Sequence, residues 1–209
     1  RWLAALQAND PVLRLCFDHQ MYGLSGFLFE PSRKSYLAAL DYESTEHVRA
    51  LKLALEQATA MFKQIFGERS RTFIAPNYVW DESIEAVLHA NGIHSLQSSR
   101  AQKISSFSAA KRTARRHYQG QRNDYGQTYI VRNVQFEPAS NPSQDWVETA
   151  LKEISLAYRA RSPAVISTHR VNFMGHLNSA NRTQNLALLA DLLTRALRKW
   201  PDLEFWSTS

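Results

Sequence analysis

At 209 residues, with 44% apolar and 21% charged side chains and only seven glycines and seven prolines, the chain falls in the ordinary globular range, away from disordered or fibrous sequences. One domain over 1–209 with a sizeable core is the expectation. The single cysteine, Cys16, excludes an internal disulfide and a thiolate metal cage, and no apolar run nears the roughly 18 residues that span a bilayer; a soluble protein is expected, whether cytoplasmic or exported.

The net charge of +6 is mild and is concentrated in the run 111–122, KRTARRHYQGQR. Such a cluster can contact phosphates or an acidic polysaccharide, but a solvated basic segment is the simpler reading, and no nucleic-acid reader motif accompanies it.

In chain order, the opening RWLAALQANDP reads as the middle of a helix, so a portion preceding Arg1 is expected. The following LCFDHQMYG sets Asp18 and His19 side by side after three apolar residues, as at a strand exit. A surface position is favoured over a metal site there, since no second histidine stands at ligand spacing.

From Glu46 to Phe66, Val48, Leu51, Leu55, Ala58, Phe62 and Ile65 recur at three- and four-residue steps, which predicts an amphipathic helix ended by Gly67. Arg71–Ala75 reads as a buried strand stopped by Pro76. Asp81 is placed to cap a helix running to Ala90, closed by Asn91 and Gly92, and Ile93–Ser98 reads as a second strand. Residues 99–127 lack a clean period and are expected to form a long loop. Tyr129–Phe136 alternates as a third strand. Asp145 onward, through Trp146, Val147, Leu151, Ile154 and Tyr158, reads as a helix, and Ala164–Ser167 as a fourth strand. A helix from about Arg182 to Trp200 and a last strand over Leu203–Trp206 complete the pattern.

Alternation of apolar strands with helices predicts an α/β fold with parallel strands, either a barrel or an open sheet. In both, reactive side chains gather where strands end. That rule nominates Asn77 and Tyr78, with Trp80 close by, after the first strand, and Arg100 after the second. It adds Asn133 and Glu137 around the third, and His169, Arg170 and Asn172 after the fourth. His169 is the sharpest candidate, because an imidazole carries a proton near neutral pH. Glu137 is the candidate base, ligand or arginine partner. Asn77, Tyr78, Trp80, Arg100, Asn133, Arg170 and Asn172 are the candidate substrate contacts, by hydrogen bonding or by aromatic stacking.

FIAPNYVWD (73–81), NGIHSLQSSR (91–100) and AVISTHRVNF (164–173) together resemble the polysaccharide deacetylase family over roughly Glu46–Ser209. The resemblance implies a deformed (β/α) barrel of which this chain is an incomplete C-terminal portion. It further implies a carbohydrate substrate, deacetylation assisted by a divalent metal (zinc or similar) whose ligands lie mostly upstream of Arg1, and His169 as general acid. The family's paired aspartates and HxxxH are absent from the chain. The alternative is a non-catalytic carbohydrate-binding barrel in which Tyr22, Tyr78 and Trp80 stack on sugar rings.

Overall fold

The computed structural model describes residues 2–21, 37–42, 44–104 and 113–208. Two short helices come first, α1 (Trp2–Gln7) and α2 (Pro11–Asp18). The side chain of Asp10 accepts from the amides of Val12 and Leu13, and Pro11 sits at the first helical position, where its missing N–H costs nothing. The run LCFD therefore closes a helix and not a strand: Asp18 pairs with Arg14 one turn back, and His19 caps the end. Neither residue stands at a strand exit.

α3 (Thr45–Phe66) begins where the Ser44 hydroxyl accepts from the His47 amide and ends at Gly67, whose φ of 78° is open to glycine without strain. Its apolar stripe is only partly covered among the described residues. Leu55 is buried and Leu51 packs beside it, while Met61, Ile65 and Phe66 stay exposed.

β1 (Thr72–Ile74), α4 (Glu82–Ala90) and β2 (Ser95–Ser98) form the expected strand–helix–strand unit, with β1 and β2 parallel and Phe73 opposite Leu96. The Asp81 carboxylate caps α4 through the Ser83 amide and also accepts from the Tyr42 hydroxyl. Burial, and then the neighbouring Asp81 charge, raises the Tyr42 pKa to about 12.

The segment expected to be a long loop holds an antiparallel hairpin, β3 (Ala101–Lys103) with β4 (Ala114–Arg116). Every side chain of β4 is exposed, so no apolar alternation marks it in the sequence.

The third expected strand is real but divided. β5 (Thr128–Val131) pairs parallel with β2, and β6 (Val134–Gln135) pairs parallel with β7 (Ile166–Ser167). Amides 128 and 132 donate towards β2, to His94 and Ser98, whereas amides 129, 131 and 133 donate the other way, to Gln121, Gln119 and Val165. Asn133 and Val134 both donate to the Val165 carbonyl, which marks a bulge. One continuous run thus passes its pairing from β2 to β7, and the parallel strands follow the order β1, β2, β5–β6, β7.

Beyond β6 lie α5 (Trp146–Arg159), capped by Asp145, and, after β7 and a 3-10 turn over Arg170–Phe173, α6 (Ser179–Lys199). Two apolar clusters pack against these strands, apart from a small one of Leu13 and Cys16 at α1 and α2. One joins Trp80, Ile84, Leu88, Leu96 and Tyr129, and the other joins Val134, Phe136, Trp146, Leu151, Ile154 and Leu192. The architecture is mixed α/β with parallel strands in small sheets, and the described residues form no closed barrel. Leu203–Trp206 is not a strand; Phe205 and Trp206 are largely exposed and no described strand pairs with them.

Candidate functional site

Gln135 of β6 and Ser167 of β7 are partners in register, and the Phe136 amide donates to the Ser167 carbonyl at 2.9 Å. The two strands therefore release their chains side by side, and polar side chains two residues beyond their ends meet. Nδ1 of His169 lies 2.6 Å from Oε1 of Glu137. The amide of Asn172 donates to Oε2 of Glu137 at 2.8 Å, while Oδ1 of Asn172 accepts from the Ala139 backbone at 3.0 Å.

The support beneath this pair comes from asparagines of α6. Asn185 donates to the Asn172 carbonyl, and Asn181 donates to the carbonyls of Val171 and Met174, which pins the 3-10 turn. Asn172 itself is fully buried. The Glu137 side chain is 16% exposed and that of His169 66%. A carboxylate held on both oxygens and a largely open imidazole follow from that contrast. With Nδ1–H directed at the carboxylate, Nε2 of the neutral ring is left as an acceptor, and as a donor once the ring is protonated. The pair can hold a proton and pass it at Nε2.

The other expected contacts separate into two groups. Arg170 is exposed beside His169, Arg100 is exposed beyond β2, and Asn77 is exposed beyond β1 with Tyr78 half-buried. Asn77 and Tyr78 both have φ of 55°, a conformation that asparagine tolerates and tyrosine seldom adopts. Trp80 and Asn133 are not available to a ligand. Trp80 is 2% exposed and its indole N–H donates to Glu85, so it has no ring face to offer a sugar. The Asn133 side chain donates to the Pro163 carbonyl and accepts from the Val165 amide, on the entry side of β7. Asn172 acts on Glu137 and not on an open surface. Tyr22 lies outside the described residues.

Sequence reasoning missed a second polar group in the interior. Glu85 is buried on α4, where it accepts from Trp80 Nε1 at 2.8 Å, Tyr129 Oη at 2.8 Å and Asn123 Nδ2 at 2.7 Å. His117 stacks on Tyr129 with ring centroids 3.7 Å apart and meets Gln102 at 2.6 Å. Burial, then the hydrogen bond and charge of Glu85, pushes the Tyr129 pKa up. Burial pulls that of His117 down. The available signal was a glutamate lying among Ile84 and Leu88 on the apolar face of α4. Sealed from solvent, this group ties the 117–127 segment to the sheet and is not placed for chemistry on a ligand.

Among the described residues no three His, Cys, Asp or Glu side chains gather as a metal site. No described helix is long and apolar enough to cross a membrane.

The sequence profile of glycosyl hydrolase family 57 matches residues 4–190. No curated protein and no solved structure matches the chain. The family match overturns the resemblance to polysaccharide deacetylases, and metal-dependent deacetylation with it. The motifs that suggested it, an apolar strand ending in a polar turn and another ending in histidine, describe any parallel strand that opens onto an active face, so they do not separate two barrel families. With the resemblance withdrawn, the expected divalent metal loses its ground.

Proposed function

The chain belongs to glycosyl hydrolase family 57, and from that premise we propose that it breaks or transfers glycosidic bonds of a carbohydrate substrate, with His169 and Glu137 as its reacting pair. The parallel set β1, β2, β5–β6 and β7 is read as an arc of the (β/α) barrel wall characteristic of the family, with its exits forming the substrate face.

The observation that carries the reading is the 2.6 Å contact between His169 and Glu137 at the exits of adjacent parallel strands. Cleavage of a glycosidic bond needs a proton delivered to the leaving oxygen and negative charge near the anomeric carbon as positive charge develops there. Once protonated, His169 supplies the proton to the leaving oxygen through Nε2; as that bond breaks, a water, or the hydroxyl of an acceptor sugar in transfer, forms the new bond to the anomeric carbon and returns a proton to the neutral Nε2. Glu137 sets the imidazole tautomer and balances its charge, and Asn172 keeps that carboxylate in place. Arg100, Arg170, Asn77 and Tyr78 are the proposed substrate contacts.

The test is the release of reducing ends, or the formation of transfer products, from a panel of oligo- and polysaccharides by the full chain and by its His169→Ala and Glu137→Gln variants. Loss of kcat by about a hundredfold or more in both, with folding retained, is expected. Cleavage at the parental rate in His169→Ala, or no cleavage of any glycan by the parent, would overturn the proposal.

A further inference from the structure

A cavity of about 280 Å³ opens between α5 and α6, lined by Glu148, Leu151 and Lys152 from the first helix and by Arg195, Arg198 and Lys199 from the second. Four cations face one carboxylate. The spacings explain the convergence: 148, 151 and 152 lie on one face of α5, and 195, 198 and 199 on one face of α6. Neither Glu137 nor His169 contributes to its lining.

The charges within it are unequally satisfied. Arg195 is paired with Glu148 and lies 3.7 Å from Asp191. Lys199 stands 4.8 Å above the Trp200 ring, which is itself fixed edge-on against Tyr158 at 5.1 Å. Among the described residues, no carboxylate lies within ion-pair distance of Lys152, Arg198 or Lys199. Cations in the last turn of α6 offset its C-terminal dipole, which accounts for Arg198 and Lys199. It does not account for Lys152, which comes from mid-helix on the neighbouring element. Three such cations around one concavity repel one another until an anion enters, and Arg198 offers the planar fork that suits phosphate.

We propose that this cleft is a binding site for a phosphate-type oxyanion, either free or carried as the phosphate ester of a sugar, bound by Lys152, Arg198 and Lys199 over the Arg195–Glu148 pair. The site is independent of the glycosidic reading, because it uses none of the strand-exit residues.

The experiment is calorimetric titration of the full chain with inorganic phosphate, a hexose 6-phosphate and the unphosphorylated hexose, in chloride buffers adjusted to constant ionic strength. The variants are the double substitution Lys152→Gln/Arg198→Gln and, as the loss of one positive charge elsewhere, Arg116→Gln on the exposed strand β4. All of these side chains are exposed, so folding should survive, and a urea melt verifies it. Binding of phosphate or the ester weakened at least about tenfold in Lys152→Gln/Arg198→Gln and unchanged in Arg116→Gln is expected. An ester at least about tenfold tighter than inorganic phosphate identifies a phosphorylated sugar as the source, while equal or weaker binding of the ester identifies free phosphate. No phosphate or ester binding at constant ionic strength, equal weakening in Arg116→Gln, or hexose binding as tight as that of the ester would overturn the proposal.

Discussion

The phenol of Tyr129 donates to Oε1 of Glu85 at 2.8 Å, so a buried carboxylate on α4 is held by the side chain at the start of β5. Trp80 shares that oxygen, and Asn123 holds the other. Among the described residues, the charge is met by hydrogen-bond donors and not by a cation, a solution that works only while each donor is present.

Tyr129→Phe removes one donor and leaves the other two, and should destabilise the fold by about 1–2 kcal/mol. Glu85→Ala strands the two buried donors of Trp80 and Tyr129, leaves Asn123 only its bond to Gln127, and opens a cavity, with an expected loss of about 3 kcal/mol or more. Urea melts of the two variants and their double mutant would show the two losses to be less than additive. Additivity would mean that the contact contributes nothing.

His117 adds a dependence on acid. Its pKa lies below the ordinary 6.5, first because it is buried and further because of Arg115, against opposing contributions from Gln121 and Glu85. The unfolded chain therefore takes up a proton near pH 6.5 that the folded chain refuses. The stability from His117 is complete above 6.5 and falls away as the pH drops through that value towards the folded pKa. Between pH 7.5 and 5, the midpoint in urea should fall more steeply for the parent than for His117→Phe. Parallel slopes would remove His117 from the acid response.

At the alkaline end the signs reverse. Tyr42, at about 12, and Tyr129, raised by burial, both stay protonated in the folded chain after their unfolded counterparts ionise near 10. Their contribution is full below pH 10 and is lost as the pH climbs above it. Phenolate absorbance should therefore rise late and together with unfolding, and Tyr42→Phe should leave a smaller late step.

Asn172→Ala separates holding from reacting. It frees one oxygen of Glu137 and leaves the half-buried Ala139 amide without its acceptor, a loss of about 1–2 kcal/mol in stability. If it positions Glu137, kcat on a cleaved glycan should fall with KM little changed, and the acid limb of the pH–rate profile should move. A purely structural role would leave that profile where it was.

Asp81→Ala removes both the cap of α4 and the acceptor of the Tyr42 hydroxyl, and should cost about 1–2 kcal/mol in a thermal or urea melt. An effect near zero would show that the Ser83 amide and the Tyr42 hydroxyl find water instead.

What the sequence determined by itself is what its near neighbours settle. Gly67 ends α3, Asp81 and Asn91 bracket α4, and the strand β1 ends just before Pro76, because caps and breakers act within one turn of the residues they govern. That Glu137 and His169 each follow an apolar run was legible too, but that their strands are neighbours and the two side chains meet came only from the tertiary structure. Other features depended on distant partners. The run 128–135 divides into β5 and β6 because β2 and β7 lie on opposite sides of it. The strand β4 carries no apolar alternation, and Leu203–Trp206 carries apolar residues without a strand to join. Trp80 and Asn133 looked like ligand contacts until packing enclosed one and the entry of β7 occupied the other. The sequence places Glu85 on the apolar face of α4, but only tertiary structure brings Trp80, Asn123 and Tyr129 around it. Charges and amides take their roles from groups far away in the chain, whereas periodicity and capping are properties of a few consecutive residues.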